Sequence, residues 1–522
     1  MDTNTNANID INININDNKP TINNIKATIP DIIFAVEILI LGYLYFRFHV
    51  FSGIGGFGVT AYTVLLTVVT YIYMKNSGYD QTADSLFYMV ILLIFGMGFS
   101  VFSGETEKSI GIVSIHLIYV YWVAKTTGRL LNKRPDKYLY SDIIYQLICV
   151  PFEKFASLAE VLCDGYKNDK KRKSFIMILL GILCAIPVLA IVILLLSSAD
   201  AIFGQVSNSI FGKISNNVFE KIIMLICGVP TAFYIFALVY NDIHPERLHE
   251  YSVSVVDAKR SKKKIIPYEI LTTMVMLLDV IYILFAVLQV SNLFMAFYDK
   301  LPSGMTYAEY ARGGFFQLVW VAVINLIVTV IAITLVRENN GKRPTILSCA
   351  LSLLSILTIF LGMTALRKMY LYICVYGLTK NRLITSIFMM YLILVFLLLT
   401  FGYFRKIKYR EVILMSGAII IAAFIMFGNT DGIIARYNIS RIKDGTLESD
   451  CMFDSDKRPD LSIGAMDAYN EVLNKEDINV SAETTKNIMK EIYFREVGYD
   501  RKNIQWYDQS IAIIRAGKMI GR

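Results

Sequence analysis

The stretch Tyr307-Ala-Glu-Tyr-Ala-Arg-Gly-Gly-Phe-Phe-Gln-Leu318 leads directly into the apolar run 315–336. About 20 consecutive apolar residues are what an α-helix needs to cross the hydrocarbon core of a bilayer. The run therefore predicts a membrane-spanning helix, and the stretch before it predicts a polar, aromatic entrance to that helix. Similar apolar runs recur along the chain, so this segment sets the pattern for the whole fold.

The entrance stretch has two marked faces when it is drawn as a helix. Glu309 and Arg312 are three residues apart and can form an ion pair. Tyr307, Tyr310 and Gln317 lie on a neighbouring face. Two interpretations remain open: an interfacial anchor made of an aromatic belt with one ion pair, or a contact with a substrate or a lipid.

The composition of the chain is that of a membrane protein. Of its 522 residues 55% are hydrophobic and only 18% are charged, whereas soluble domains average about 25% charged residues. We predict an all-α, polytopic bundle of eleven spans, at 32–51, 57–74, 85–103, 110–124, 174–197, 219–240, 268–297, 315–336, 345–366, 385–404 and 411–427.

Two polar regions flank the predicted transmembrane domain, which covers residues 29–427. Residues 1–28 are rich in Asn, Asp and Ile, a low-complexity composition that predicts disorder. Residues 428–522 are polar and predict a small helical extracytoplasmic region. Its amphipathic stretches lie at 461–473, 482–499 and 506–520.

Lys and Arg are distributed unevenly between alternate loops. Five loops carry 25 of them, namely 75–84, 125–173, 241–267, 337–344 and 405–410. The five intervening loops carry 8, namely 52–56, 104–109, 198–218, 298–314 and 367–384. By the positive-inside rule, the N-terminus is predicted to be cytoplasmic and the C-terminus to lie outside the cell membrane.

Two of the basic loops are predicted to contact anionic lipid of the inner leaflet. Residues 138–163 place apolar side chains at helical spacing, and the basic cluster 170–173 follows them. The second loop ends in the basic run 259–264. Amphipathic helices beside basic clusters bind anionic membrane surfaces, so we expect membrane lipids to be partners of 125–173 and 259–264. Because the Lys and Arg separate apolar runs, the net charge of +8 does not indicate nucleic-acid binding. The sequence leaves protein partners open.

The sequence offers no motif for a cofactor or a metal. None of the seven cysteines forms a Cys-x-x-Cys pair, so neither a disulfide framework nor a zinc site is indicated. The Gly-x-Gly-x-x-Gly pattern at 53–58 lacks the βαβ context of dinucleotide binding. The acidic pairs Glu105/Glu107 and Asp454/Asp456 are expected to be solvated loop carboxylates.

Polar side chains inside the predicted spans are stronger candidates for functional residues than these motifs are. Asp279 and Gln289 share one face of the seventh span with Tyr282, and Asn325 lies within the eighth. Glu37 and His116 lie in the first and fourth spans. An ionisable side chain inside the membrane is by default a candidate for a functional role. The alternative is a buried polar group that is satisfied by a neighbouring helix.

Four motifs emerge on the same predicted face of the membrane. They are Ser198-Ala-Asp-Ala-Ile-Phe203, the entrance stretch, the segment 367–379 with its Tyr-Gly-Leu-Thr ending, and Asn429-Thr-Asp-Gly-Ile-Ile-Ala-Arg-Tyr-Asn438. Together they would bring Asp200, Glu309, Arg312, Arg367 and Asp431 to one surface. Charge that converges with tyrosine is typical of a site for a polar ligand or a lipid headgroup, and it is equally compatible with a packed cap.

These motifs resemble those of an uncharacterised family of bacterial multi-pass membrane proteins that is found widely in Firmicutes and described only as a domain of unknown function. The resemblance covers residues 174–467 and rests chiefly on the twelve-residue entrance stretch. It implies a location in the bacterial cytoplasmic membrane, and it implies no mechanism.

The leading functional hypothesis is a non-enzymatic envelope protein that binds, moves or senses a lipid or a small solute. A second hypothesis is an envelope-modifying enzyme that acts on a lipid-linked substrate at the outer face, with Glu309, Asp200 or Asp431 as its acid or base. A third is a membrane scaffold or sensor.

Overall fold

The computed structural model describes residues 27–50, 56–101, 104–163, scattered positions between 174 and 205, and 216–297, 307–337, 344–405, 407–454, 458–475, 480–497 and 505–521. The side chains of 216–220, 222, 289–297, 307–314 and 475 lie outside this description. The described elements are helices, apart from a single backbone bridge between Ile266 and Val336.

Ten of the described helices are long and apolar enough to cross a bilayer. They are α1 (Ile29–His49), α2 (Phe57–Asn76), α3 (Ala83–Val101), α4 (Glu105–Thr126), α8 (Asn216–Ile243), α10 (Tyr268–Phe297), α11 (Tyr307–Leu335), α12 (Thr345–Tyr376), α13 (Lys380–Gly402) and α14 (Arg410–Phe427). Four shorter helices lie between them: α5 (Leu139–Ile144), α6 (Val150–Glu153), α7 (Ser157–Cys163) and α9 (Val253–Lys263).

The prediction of a polytopic helical membrane bundle is confirmed. Each of ten predicted spans corresponds to one of these helices. The remaining predicted span, 174–197, falls mostly outside the described residues, although its described positions are helical. The low-complexity stretch 1–26 and the basic cluster 170–173 also lie outside them.

The first bundle is formed by α1–α4 and α8, with α5–α7 packed against it. Helices α1 and α8 cross at Gly42 and Gly228. A Cβ atom added to Gly42 would overlap the carbonyl oxygen of Gly228, and one added to Gly228 would lie 2.8 Å from the carbonyl oxygen of Gly42. Small residues at such a crossing let membrane helices approach backbone to backbone.

The second bundle is formed by α10–α13, with α12 at its centre packed against the other three helices. Its core consists of two apolar clusters, one around Val275 and Leu351 and one around Phe315 and Leu361. Helix α14 packs against α3 and α4 of the first bundle and touches α13 of the second.

The C-terminal region folds into a third apolar cluster built from five further helices. These are α15 (Thr430–Lys443), α16 (Asp450–Phe453), α17 (Met466–Lys475), α18 (Ala482–Val497) and α19 (Ile511–Met519). Between α18 and α19 the chain contacts the first bundle, where the amide of Phe57 donates to the carbonyl of Gln509 at 2.9 Å. The C-terminal region therefore packs on the helix bundle.

The loops rich in Lys and Arg lie together at one end of the molecule, which we call the basic end. Arg129 Nε donates to the carbonyl of Asp242 at 2.8 Å, and Tyr79 donates to the carbonyl of Ile243 at 3.2 Å. The amide of Ile266 donates to the carbonyl of Leu335 at 3.0 Å. The C-terminal region lies at the opposite end, which we call the tail end.

Candidate functional site

The turn between α12 and α13 is held by the C-terminal region. Helix α12 ends at Tyr376 and is followed by Gly377, whose φ of +75° favours glycine. The next residue, Leu378, is clamped by Asn438 of α15: its amide donates to Asn438 Oδ1 at 2.7 Å, and its carbonyl accepts from Asn438 Nδ2 at 2.9 Å. Two of the four motifs, the segment 367–379 and the segment 429–438, are therefore in direct contact.

A buried ion cluster lies beside this clamp. Lys380 Nζ, at the start of α13, is 2.8 Å from Asp431 Oδ2 and 3.3 Å from Glu107 Oε2. Thr430 donates to Glu107 Oε1 at 2.6 Å. Asp431 Oδ2 also accepts from the amide of Ser462 at 3.1 Å and from its hydroxyl. The cluster joins α4 of the first bundle, α13 of the second and the C-terminal region.

The geometry of the cluster indicates a structural role for Asp431. Its side chain is 1% exposed and already accepts from one cation and from Ser462. A general acid or base needs a proton that a substrate can reach. An oxygen held in this way instead fixes the position of α15 relative to the bundles.

Glu107 is a member of the ion cluster, although its sequence context predicts a solvated loop carboxylate. The residue lies in the first turn of α4, is 5% exposed and pairs with Lys380. The expectation was wrong because the cation that buries it comes from a residue 273 positions later in the chain. No local signal in the sequence indicates that pairing.

The remaining predicted surface residues do not meet at this cluster in the described part of the chain. Asp200 is exposed, and its carboxylate accepts from the amide of Phe203 at 2.7 Å. Arg367 is half-buried on α12, with its guanidinium 5.3 Å from the ring centre of Tyr370, and Gln317 is exposed on α11. The side chains of Tyr307, Glu309, Tyr310 and Arg312, in the first two turns of α11, fall outside the described residues, so their shared site stays a prediction.

The second bundle contains a polar site in the middle of its spans. Leu271, Val275 and Asp279 form the buried stripe of α10, with Tyr282 at its edge. The apolar span of this helix runs from Tyr268 to Leu288. Asp279 is eleven residues from Tyr268, about 16 Å at 1.5 Å per residue. The carboxyl therefore lies near the middle of the roughly 30 Å hydrocarbon core.

A chain of hydrogen bonds crosses the bundle one turn away from Asp279. Tyr282 of α10 donates to Asn325 Oδ1 of α11 at 2.9 Å. Asn325 Nδ2 donates to Thr358 Oγ1 of α12 at 2.9 Å, and Thr358 donates to the carbonyl of Leu354 at 2.7 Å. The predicted polar residue Asn325 is therefore fully engaged by neighbouring helices.

Asp279 itself has no such partner. It is 3% exposed, and neither of its carboxyl oxygens forms a hydrogen bond with any described residue. The hydroxyl of Thr329, which is 1% exposed, also has none within the described chain. Because α10 and α11 run antiparallel and Tyr282 faces Asn325, Asp279 and Thr329 lie at the same level. Among the described carboxyl groups that are buried, only Asp279 has two unpartnered oxygens.

The other predicted intramembrane residues differ from Asp279. Glu37 is half-buried on α1, and the side chain of Gln289 lies beyond the described residues. His116 Nδ1 is 2.6 Å from the carbonyl of Ile112 on its own helix. Its ring is 6.3 Å from that of His49 on α1, whose Nδ1 contacts the carbonyl of Tyr45 in the same way.

A family model described as a domain of unknown function (DUF4153) matches residues 59–462. The chain belongs to the DUF4153 family. This confirms the resemblance to an uncharacterised family of unknown function. No curated protein and no solved structure matches the chain.

The DUF4153 match includes both polar arrangements. It begins in α2 and ends at Ser462, so it covers Asp279 and Asn325 as well as the ion cluster of Glu107, Lys380 and Asp431. Helix α1 and helices α17–α19 lie outside the matched residues.

We expect the ion cluster to depend on its single cation. The substitution Lys380→Met leaves two buried carboxylates facing each other without a counter-charge, which should lower the free energy of unfolding by about 3–5 kcal/mol. Lys486→Met on the exposed face of α18 is the matched control and should change it by less than about 0.5 kcal/mol. Both variants would be unfolded in the same detergent micelles, and equal stabilities would contradict the structural role of the cluster.

Proposed function

We propose that this DUF4153 protein binds a proton or a small cation at Asp279 as part of moving or sensing a small solute across a bacterial cytoplasmic membrane. The observation that carries the proposal is the pair of unpartnered oxygens of a carboxyl buried in the middle of the second bundle.

An isolated charge buried in a membrane protein carries a high energetic cost. An ionised carboxylate in an apolar environment is costly unless it has a counter-charge and hydrogen-bond donors. Within the described chain Asp279 has neither. The carboxyl therefore holds a proton when no other cation is bound, and it becomes an anion only when a cation lies beside it. In both states a positive charge is bound at the carboxyl, either as a proton or as a cation.

The surroundings of Asp279 provide further polar atoms towards the basic end. Thr329 lies at the level of the carboxyl. Ser355 of α12 is 3.4 Å from the hydroxyl of Tyr403, which follows the last residue of α13. Hydroxyl groups can both donate and accept, so side chains of this kind are suited to pass a proton or to coordinate a small cation.

The enzyme hypothesis gains no support from the described contacts. Asp431 is fixed in the ion cluster, and Asp200 is an exposed cap of a helical turn. A binding or transport role at Asp279 is supported by a carboxyl with two unpartnered oxygens, whereas Asp431 Oδ2 at the tail end is already engaged by Lys380 and Ser462.

We also propose the orientation of the molecule. The five loops that carry 25 of the Lys and Arg include three that contact one another directly at the basic end. The positive-inside rule then supports a basic end in the cytoplasm and a tail end outside.

The proposed role of Asp279 is tested by proton flux. The purified protein would be reconstituted into liposomes loaded with the pH-sensitive dye pyranine, and an acid pulse would be applied. We expect the unaltered protein and the control Glu37→Gln to conduct protons, and Asp279→Asn to lose most of the flux, because the amide cannot take up a proton. Flux that is undiminished in Asp279→Asn, or absent from the unaltered protein, would contradict the proposal.

The orientation is tested by thiol labelling in intact bacterial cells. Single cysteines would replace Glu483 on α18 and Lys262 on α9, both exposed, in a variant without native cysteines. A membrane-impermeant reagent should label position 483 in intact cells and position 262 only after permeabilisation. The reverse pattern would show that the orientation is inverted.

A further inference from the structure

Residues 139–153 form a continuous helical segment at the basic end, which we call the interfacial segment. It consists of α5, a π-helical turn at Tyr145–Cys149 and α6. Four large side chains along it, at Tyr140, Ile144, Ile148 and Phe152, are each more than half exposed. They are spaced four residues apart and so form one apolar stripe.

The π-helical turn keeps this stripe straight. Four residues of an α-helix overshoot a full turn by about 40°, so a strict four-residue spacing would drift around an ordinary helix. A π-turn is wider and needs more than four residues to close. Placed between Ile144 and Ile148, it rotates the later side chains back towards the earlier ones.

The backbone of the segment is tied to α8 by polar contacts. Tyr234 donates to the carbonyl of Leu147 at 2.8 Å, and Asn241 Nδ2 donates to the carbonyl of Val150 at 3.1 Å. Measured along α8, these contacts lie roughly 3–14 Å from its end at Ile243. Interfacial helices lie about 5–10 Å into the boundary between headgroups and acyl chains. The segment is therefore held at the depth of that boundary.

Both ends of the stripe adjoin helices that cross the membrane. Tyr140 lies within electrostatic range of Arg410 and Glu411, at the start of α14. The ring of Phe152 is 5.9 Å from that of Tyr234 on α8. The apolar stripe is thus continuous with the surface that these helices present to lipid.

Basic side chains lie next to the beginning of the stripe. Arg260 of α9 donates to Ser141 Oγ at 2.8 Å and to the carbonyl of Lys137 at 3.1 Å. On the same helix Lys259, Lys262 and Lys263 are exposed. Helix α9 therefore places its positive charge beside the interfacial segment.

A buried carboxyl joins the interfacial segment to the loop before α9. Asp142 Oδ1 accepts from the hydroxyl of Tyr251 at 2.9 Å, and the rings of Tyr145 and Tyr251 stack at 3.7 Å. Burial raises the pKa of Asp142 to about 6, although the hydrogen bond from Tyr251 favours its ionised form. The segment and α9 are thus parts of one folded surface.

We propose that this surface is a binding site for anionic lipid: the stripe enters the leaflet at the basic end, and the lysines of α9 bind the negatively charged headgroups beside it. Each basic residue near an anionic surface adds about 1 kcal/mol, or roughly fivefold in affinity. The partner is the membrane of the protein itself, because the apolar stripe joins the lipid-facing surface at both ends. This proposal is independent of the role of Asp279.

The test uses the full-length protein without native cysteines, carrying a single bimane-labelled cysteine at Ile148 or, as a control, at the exposed polar Ser254. Each protein would be placed in nanodiscs that mix phosphatidylcholine and phosphatidylglycerol, with one of the two lipids brominated near the headgroup. We expect bimane at 148 to be quenched and bimane at 254 to be quenched much less. Brominated phosphatidylglycerol should quench position 148 several-fold more strongly than brominated phosphatidylcholine at the same mole fraction.

A second variant separates charge from burial. Neutralising Lys259, Lys262 and Lys263 to Gln should bring the quenching by the two lipids close to equality while position 148 stays in contact with lipid. Equal quenching by both lipids in the unaltered protein would overturn the proposal. So would the absence of quenching at 148, which would mean that solvent, a second copy or another protein covers the stripe.

Discussion

The hydrocarbon core of a membrane offers no hydrogen-bond partner, so every polar side chain in a spanning helix must find one inside the protein. The described helices largely meet this constraint. Tyr73 of α2 donates to Asp31 at the start of α1, and Tyr282, Asn325 and Thr358 satisfy one another across three helices. Among the buried carboxyls of the described residues, Asp279 is the one with two unpartnered oxygens, and for that reason we propose a functional rather than a structural role for it.

A second constraint acts at the tail end, where the two bundles and the C-terminal region meet. A buried ion pair contributes little net stability relative to an apolar contact, but removal of one partner is costly. The cluster of Glu107, Lys380 and Asp431 therefore specifies which surfaces fit together more than it strengthens them. The clamp of Asn438 on Leu378 acts in the same way, through two hydrogen bonds between the side-chain amide of Asn438 and the backbone of Leu378.

The helices could be predicted from sequence because span length and apolar composition are local properties. Their ends were less predictable: α12 continues to Tyr376, ten residues beyond the predicted boundary, because the helix extends through Arg367 and buries Lys368. Asp279, Asn325 and Asp431 were found as unusual residues in their segments. The partners of Asp431 and the isolation of Asp279 could not be predicted from the sequence. Both depend on contacts between helices that lie far apart in the chain.

The protonation of Asp279 can be measured in the reconstituted protein by infrared difference spectroscopy. We predict a carboxylic-acid band that shifts on exchange into heavy water, is lost as the pH is raised or a small cation is bound, and is absent from Asp279→Asn. A spectrum in which Asp279→Asn retains every band of the unaltered protein would show that this carboxyl holds no exchangeable proton. That result would contradict the central claim.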